Sequence, residues 1–276
     1  MKRLAALLVA VGCLTLIACS EDTNSAGRLA SSDRSIGVGE QRILVAVVDL
    51  PTGEMVATPD VTPVAVLRDE IGSPLDEYEG EFVWTIPDVV GVYAFHVEIP
   101  GPATYQLTID AGELGELAPI GFIASDDPPQ VAVGERAPLS ESRTLDDVPL
   151  DDLTSDPTPV ESFYEMTVAE AVEAGPSVLI FATPAWCTSQ SCGPMLDQVQ
   201  DLVPEYPDLN YVHVEVYENI HVTDRQDLVL VPPVEEWGLP SEPWLYVTDR
   251  SGTVTAAFEG AVSDGELREA LDAVTG

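Results

Sequence analysis

The sequence predicts two domains in series, an all-β sandwich and then an α/β domain of alternating strands and helices. Three observations carry this expectation. From about Gly39 to Ile123, short runs rich in β-branched residues are broken by turn residues. After about residue 160 the period changes, and apolar strand-like runs alternate with helical ones. The chain has 276 residues, enough for two ordinary domains, and its 45% hydrophobic content supports packed cores.

The chain opens with Lys2 and Arg3 before a purely apolar run of about a dozen residues, which reads as a secretory signal rather than a membrane span. That run ends in "LIAC", Leu16 to Cys19, which resembles the bacterial lipobox. The resemblance implies that residues 1–18 leave as a lipoprotein signal peptide and that Cys19 carries the lipid. The protein would then sit outside the cytoplasm, anchored to the cell membrane. An ordinary signal peptide with Cys19 left as a thiol is the alternative. With Cys13 removed and Cys19 acylated, Cys187 and Cys192 remain, and an oxidising compartment lets such a pair form a disulfide. Residues 19–37 are small and polar, as a flexible tether should be.

A formal charge of −37, with an isoelectric point near 4.1, argues against nucleic acid and against anionic lipid surfaces as partners. Lys2 is the one lysine in the chain. The charge reads as a solvated acidic surface.

Residues 38–125 carry the sandwich pattern. "QRILVAVVDL" and "TPVAVLRDE" are strand-like, and "GVYAFHVEIPGPATYQLTID" predicts a hairpin-like pair about a Pro-Gly-Pro turn. In its first strand Val92, Ala94, His96 and Glu98 share one face, with Tyr93, Phe95, Val97 and Ile99 on the other. This phrasing resembles Ig-like modules of exported bacterial proteins, which implies a sandwich serving as spacer or docking module. His96 reads as a strand residue rather than a ligand. Residues 126–160 are rich in Asp, Pro and Ser, the composition of an acidic connector. Inside that stretch, "VAVGERAPLSES" resembles the opening of redoxin and peroxiredoxin domains.

In residues 161–276, "TVAEAVEAG" predicts a short helix and "PSVLIFATP" a buried strand. The next helix sets Met195, Leu196, Val199, Leu202 and Val203 on one face. Strand "LNYVHVEVYE", the turn "PVEEWG", strands "PWLYVTD" and "GTVTAAFEG", and a helix capped at Ser263 or Asp264 complete the order. Between the first strand and its helix lies "FATPAWCTSQSCGPM", with Cys187 and Cys192 spaced C-x4-C. Five residues apart on one helix they would point about 140° from each other, so a bond between them requires at least one in the loop. Cys187 is expected in that loop and Cys192 near the helix start, where the dipole and free N–H groups favour a thiolate.

The strand running into "PAWC", the helix opened by "CGPM", and "WGLPSEPWLYVTDRSGTV" together resemble the thioredoxin superfamily, in its membrane-anchored reductase branch. By that resemblance Pro243 is the cis-proline lying against the cysteines. Thiol–disulfide exchange is then implied, with Cys187 and Cys192 as catalytic residues and Trp186 and Pro243 shaping substrate approach. The partners would be thiols and disulfides of exported proteins; no cofactor and no metal site is implied. Both alignments of the cysteines stand: "CGPM" makes Cys192 the leading one, whereas "PAWC" makes it Cys187 and keeps a resolving partner. The C-x4-C spacing departs from C-x-x-C and leaves three other readings. One is a thioredoxin-fold binding module with a structural disulfide, suggested by the lack of nearby cations and by Glu242 before Pro243. Another is a C-x4-C peroxidase, although Thr183 stands four residues before Cys187 and "EPWLYVTD" offers no Arg. The last is a copper-handling protein, with His213 or His221 joining the thiolates.

Overall fold

The computed structural model describes residues 25–30 and 35–276. The expected signal peptide and the expected lipidation at Cys19 fall outside the described residues. The N-terminal half contains β1 (Ser25–Leu29), β2 (Ser35–Gly37), β3 (Gly39–Asp49), β4 (Val64–Arg68) and β5 (Pro74–Glu79). It continues with β6 (Glu81–Ile86), β7 (Val90–Ile99), β8 (Thr104–Asp110) and β9 (Ile120–Ser125). Two sheets result, in the orders β1-β3-β7-β6 and β2-β9-β8-β4-β5. Pairing is antiparallel except between β2 and β9.

The alternation in the sequence is what closes this sandwich. Tyr93, Phe95, Val97 and Ile99 of β7 face Tyr105, Leu107 and Ile109 of β8 across one buried core. Here the structure corrects the hairpin expectation, because β7 and β8 pair with different partners in different sheets. The Pro-Gly-Pro turn carries the chain from one sheet to the other, and the Tyr105 hydroxyl donates to Gly101 O at 2.9 Å across the corner. Each strand keeps its inward face, so alternation alone could not separate a hairpin from a sheet-to-sheet corner. The tether expectation also changes. Residues 25–29 pair with β3 as an edge strand and residues 35–37 pair with β9, because small polar residues suit an edge with one wet face.

The C-terminal half begins with α1 (Leu150–Leu153), a 3-10 turn (Glu161–Tyr164) and α2 (Val168–Ala174). Then follow β10 (Ser177–Ala182), α3 (Cys192–Leu202), β11 (Asn210–Glu215), α4 (Pro232–Glu236), β12 (Trp244–Thr248), β13 (Val254–Glu259) and α5 (Asp264–Thr275). The sheet order is β11-β10-β12-β13, with β10 parallel to β11 and the other pairs antiparallel. Every residue of β10 is buried, as the apolar run "SVLIFA" requires of a strand covered on both faces. Val178, Ile180 and Ala182 pack with Met195, Leu196, Val199 and Leu202 of α3 and with Leu267 and Leu271 of α5. Leu179 and Phe181 pack on the other side with Val168 and Val172 of α2 and with Val234 and Trp237. Capping boxes start α2 at Thr167–Glu170 and α5 at Ser263–Glu266, satisfying N–H groups that a helix start leaves free.

The acidic stretch 126–160 is not a free connector. Ala137 N–H donates to Gly252 O, Ser142 Oγ accepts from Val168 N–H, and Ser140 Oγ accepts from the Trp237 indole. Ser140, Ser142, Thr144, Thr154 and Asp156 are buried. Its polar side chains serve as hydrogen-bond partners for the α/β domain, which is why composition made it look unstructured.

The two halves touch along the face of the first sheet that points away from the sandwich core. Leu44, Val83, Val92 and Ala94 close over Ala261. Beside them Arg42 donates to both carboxylate oxygens of Glu266, at 2.5 and 3.0 Å, and to Ala261 O at 2.8 Å. Its guanidinium also sits 5.5 Å from the Phe258 ring centre. His96 reaches the same carboxylate at 3.3 Å. It is therefore a strand residue with an ion-pair partner in the other half.

Candidate functional site

The site forms where β10 ends and α3 begins. An apolar strand delivers the chain to residues 183–191, which cross the end of the sheet before the helix opens. Cys187 and Cys192 form a disulfide with Cα atoms 6.1 Å apart, inside the roughly 4.4–6.8 Å that such a bond allows. Cys187 lies in the loop, as the spacing requires of at least one of them, and Cys192 is the first residue of α3, as expected. The loop turns back at Gln190, whose φ of +60° lies in the left-handed region, and this brings the two cysteines together.

The sulfurs have different surroundings. Cys192 is fully buried, in the same core cluster as Ala182 and Leu196, whereas Cys187 is only partly covered. The Cys192 backbone N–H points at Cys187 Sγ at 3.3 Å, and Ser189 Oγ is also 3.3 Å from that sulfur. Ser189 Oγ is in turn 2.6 Å from Ser191 Oγ. A free N–H at a helix start carries part of the dipole's positive end, so it favours negative charge on Cys187 once the bond is opened.

Around the pair, the Trp186 indole Nε1 donates to Ile220 O at 3.0 Å. The Glu242–Pro243 peptide is cis, and Pro243 leads into β12, its carbonyl accepting from Gly260 N–H at 2.9 Å. Glu242 meets the Thr188 N–H, so the proline corner abuts the residue after Cys187. Burial pushes the Glu242 carboxyl up, against the pull of the Thr188 N–H and of Arg225. A carboxylate beside a thiol opposes the helix start, because like charges disfavour each other.

Behind the loop lies a buried polar layer. His213 of β11 is enclosed, with Nε2 3.2 Å from Ala182 O and Nδ1 2.7 Å from the Tyr164 hydroxyl. A carbonyl only accepts, so Nε2 carries the proton and Nδ1 accepts from Tyr164. Burial pushes this imidazole down to about 4 and holds it neutral. Two residues on, Glu215 ends the strand, and its Oε2 accepts from Ser155 N–H at 2.9 Å and from Ser155 Oγ at 2.7 Å. Ser155 Oγ also accepts from Ala185 N–H at 3.1 Å.

Of the residues named from sequence, Cys187, Cys192, Trp186 and Pro243 share one end of the sheet. The two histidines weighed as copper ligands do not join them. His213 has both ring nitrogens engaged by protein, and His221 pairs with Asp152 at 2.9 Å on the surface. Sequence reasoning missed Glu215, Ser155 and Tyr164. The available signal was "YVHVEV", where His213 and Glu215 share one face of a strand whose other positions are apolar.

No family model and no curated protein sequence matches this chain. Among solved structures, it is similar to native alpha-2-macroglobulin of E. coli at 8% identity and a TM-score of 0.27, over 87% of this chain and 12% of that one. A Salmonella alpha-2-macroglobulin variant gives 8% identity and a TM-score of 0.28, over 87% of this chain and 15% of that one. The chain thus spans a small part of those proteins, and a likeness this low carries no conclusion about fold or activity.

Proposed function

We propose that this is an exported, lipid-anchored protein whose C-terminal half is a thioredoxin-like domain performing thiol–disulfide exchange through Cys187 and Cys192. The N-terminal half would be an Ig-like spacer or docking module. Strand order β11-β10-β12-β13 with helices on both faces supports the fold, as does a cis-proline just before β12, at the sheet end where β10 runs into the cysteine loop. The observation that carries the activity is the asymmetry of the pair. Cys187 is the reachable sulfur, and the N–H at the start of α3 lies 3.3 Å from it.

In the reduced protein the Cys187 thiolate attacks one sulfur of a substrate disulfide, forming a mixed disulfide and releasing the other sulfur as a thiolate that takes up a proton. Cys192 loses its proton and attacks Cys187 Sγ, closing the intramolecular bond and releasing the second substrate thiol. Two electrons pass to the substrate, and an external dithiol must return them by attacking the Cys187–Cys192 bond. Trp186 and Pro243, at the same end of the sheet as the partly covered Cys187, would orient the substrate backbone.

The test is the equilibrium of the pair with glutathione, followed by alkylation and mass spectrometry. A potential near or above about −270 mV fits a working oxidoreductase, and one well below about −300 mV fits a structural bond. The Cys192→Ser variant should accumulate mixed disulfides through Cys187; traps formed only by Cys187→Ser would reverse the roles. A second reading, a binding module with a fixed disulfide, draws on Glu242, whose charge beside Thr188 would weaken the Cys187 nucleophile. It predicts no traps from either variant.

A further inference from the structure

We infer that Glu215 and Ser155 are positioning residues for this exchange: the carboxyl holds Ser155, and Ser155 holds the backbone that carries Cys187. The inference rests on the exchange reading above and adds residues that the reaction itself does not name.

Glu215 is 3% exposed, and a carboxyl that far from water carries a large desolvation cost unless hydrogen bonds repay it. Both bonds reaching its Oε2 come from one residue, Ser155. Burial pushes the Glu215 carboxyl up. Glu215 and Thr183 stand close enough for the Thr183 hydroxyl to pull the carboxyl back down, as the Ser155 bonds do. Both residues lie beside the start of the cysteine loop, since Glu215 is in register with Ala182, the last residue of β10.

Ser155 has one hydroxyl proton and two lone pairs. With its proton directed at Glu215 Oε2 (2.7 Å), a lone pair faces Ala185 N–H (3.1 Å). Ala185, Thr188, Ser189 and Gln190 are exposed, so the loop has little core packing of its own. The link through Ser155 therefore ties the exposed loop, two residues before Cys187, to a buried strand end. Opening the disulfide removes the covalent closure of residues 187–192, and that link then acts with the Trp186 indole on Ile220 O to keep Cys187 Sγ facing the Cys192 N–H. The residue supplying it belongs to the acidic stretch that composition presents as a connector.

The experiment compares unsubstituted protein with Ser155→Ala, Ser155→Thr, Glu215→Gln and Glu215→Leu. Each is measured for its rate of exchange with hydroxyethyl disulfide, its equilibrium constant with glutathione, and its unfolding by urea. Ser155→Ala should slow exchange about tenfold and shift the equilibrium about tenfold toward the dithiol, about 30 mV, since an untied dithiol loop must give up more freedom to close. Ser155→Thr and Glu215→Gln should stay within about threefold, because a hydroxyl and an amide oxygen preserve the same acceptors. Ser155→Ala with altered stability but unchanged rate and equilibrium would overturn the inference. So would a Glu215→Gln variant as impaired as Glu215→Leu, which would point to proton transfer instead. Should Glu215→Leu not fold, Ser155→Ala, at a partly exposed position, decides alone. Unsubstituted protein that never exchanges would sink the activity and this inference together, whereas exchange by both it and Ser155→Ala at one rate sinks the inference only.

Discussion

Arg42→Ala should uncouple the two halves of the protein. Arg42 and Glu266 have side chains only 9% and 12% exposed, and their contact is bidentate. Removing one partner of a buried ion pair costs about 3–5 kcal/mol, mostly because the other charge is left without compensation. Glu266 would not be stripped bare. Ser263 N–H and Oγ still donate to it, each at 2.9 Å, and His96 stays 3.3 Å away. Those contacts place the expected loss at the lower end, about 3 kcal/mol. The Ala261 carbonyl and the Phe258 ring lose a partner as well, and both lie on the C-terminal side of the junction. Urea unfolding followed by tryptophan fluorescence and by far-ultraviolet dichroism would read the loss. The native protein should unfold with coincident transitions and the variant with separated ones. A loss below about 1 kcal/mol, the ordinary worth of a surface pair, would refute the argument. The pH dependence has a definite sign. Burial works against the Glu266 charge, but His96 and Arg42 outweigh it and hold the carboxyl well below the usual range. Its contribution is present above about pH 4.3 and is lost as pH falls toward that depressed value. His96 is pushed up by Glu266, so its contribution is full below about pH 6.5 and disappears as pH rises through the folded value.

Two further outcomes follow from single positions. His213 binds no proton in the fold until about pH 4, whereas the unfolded chain takes one near 6.5, so stability should rise with pH between those values. Denaturation at several pH values should show a shallower rise in His213→Gln; an unchanged slope would assign the effect elsewhere. Gly238 has φ +63°, and a Cβ there would stand 1.7 Å from Pro129 O, so Gly238→Ala must move backbone. A loss above about 4 kcal/mol, or no soluble protein, is expected, and a near-normal thermal midpoint would contradict it.

Much of the fold was legible because burial leaves a period. The stripe Met195, Leu196, Val199 and Leu202 became the core face of α3, with Val203 packed at its margin, and Ser263 became the cap of α5. What periodicity could not hold was pairing. The inward faces of β7 and β8 read identically whether the strands are neighbours or lie in opposite sheets, and only the other strands competing for their edges decide. Composition failed in the opposite sense at residues 126–160. Serines, threonines and aspartates mark disorder when water satisfies them, but Ser140, Ser142 and Thr154 satisfy buried groups of the α/β domain instead.

The site divides along the same line. The cysteine spacing required at least one of a bonded pair to leave the helix, so that much of their placement was derivable from geometry alone. Which sulfur leads was not, because that depends on what covers each one. Cys192 is buried and Cys187 only partly covered, across a loop that reverses at Gln190, a conformation that no pattern in "CTSQSC" demands. Glu215 shows the remaining gap. A carboxylate at a strand end reads as a solvated terminus, and it became a buried acceptor only because a segment 60 residues earlier brings Ser155 against the open edge of β11. A function that depends on this contact would lie in tertiary packing rather than in any motif. The comparison of Ser155→Ala with Ser155→Thr therefore asks of the chemistry what the sequence could not supply: whether the far side of the cysteine loop matters to the sulfur on the near side.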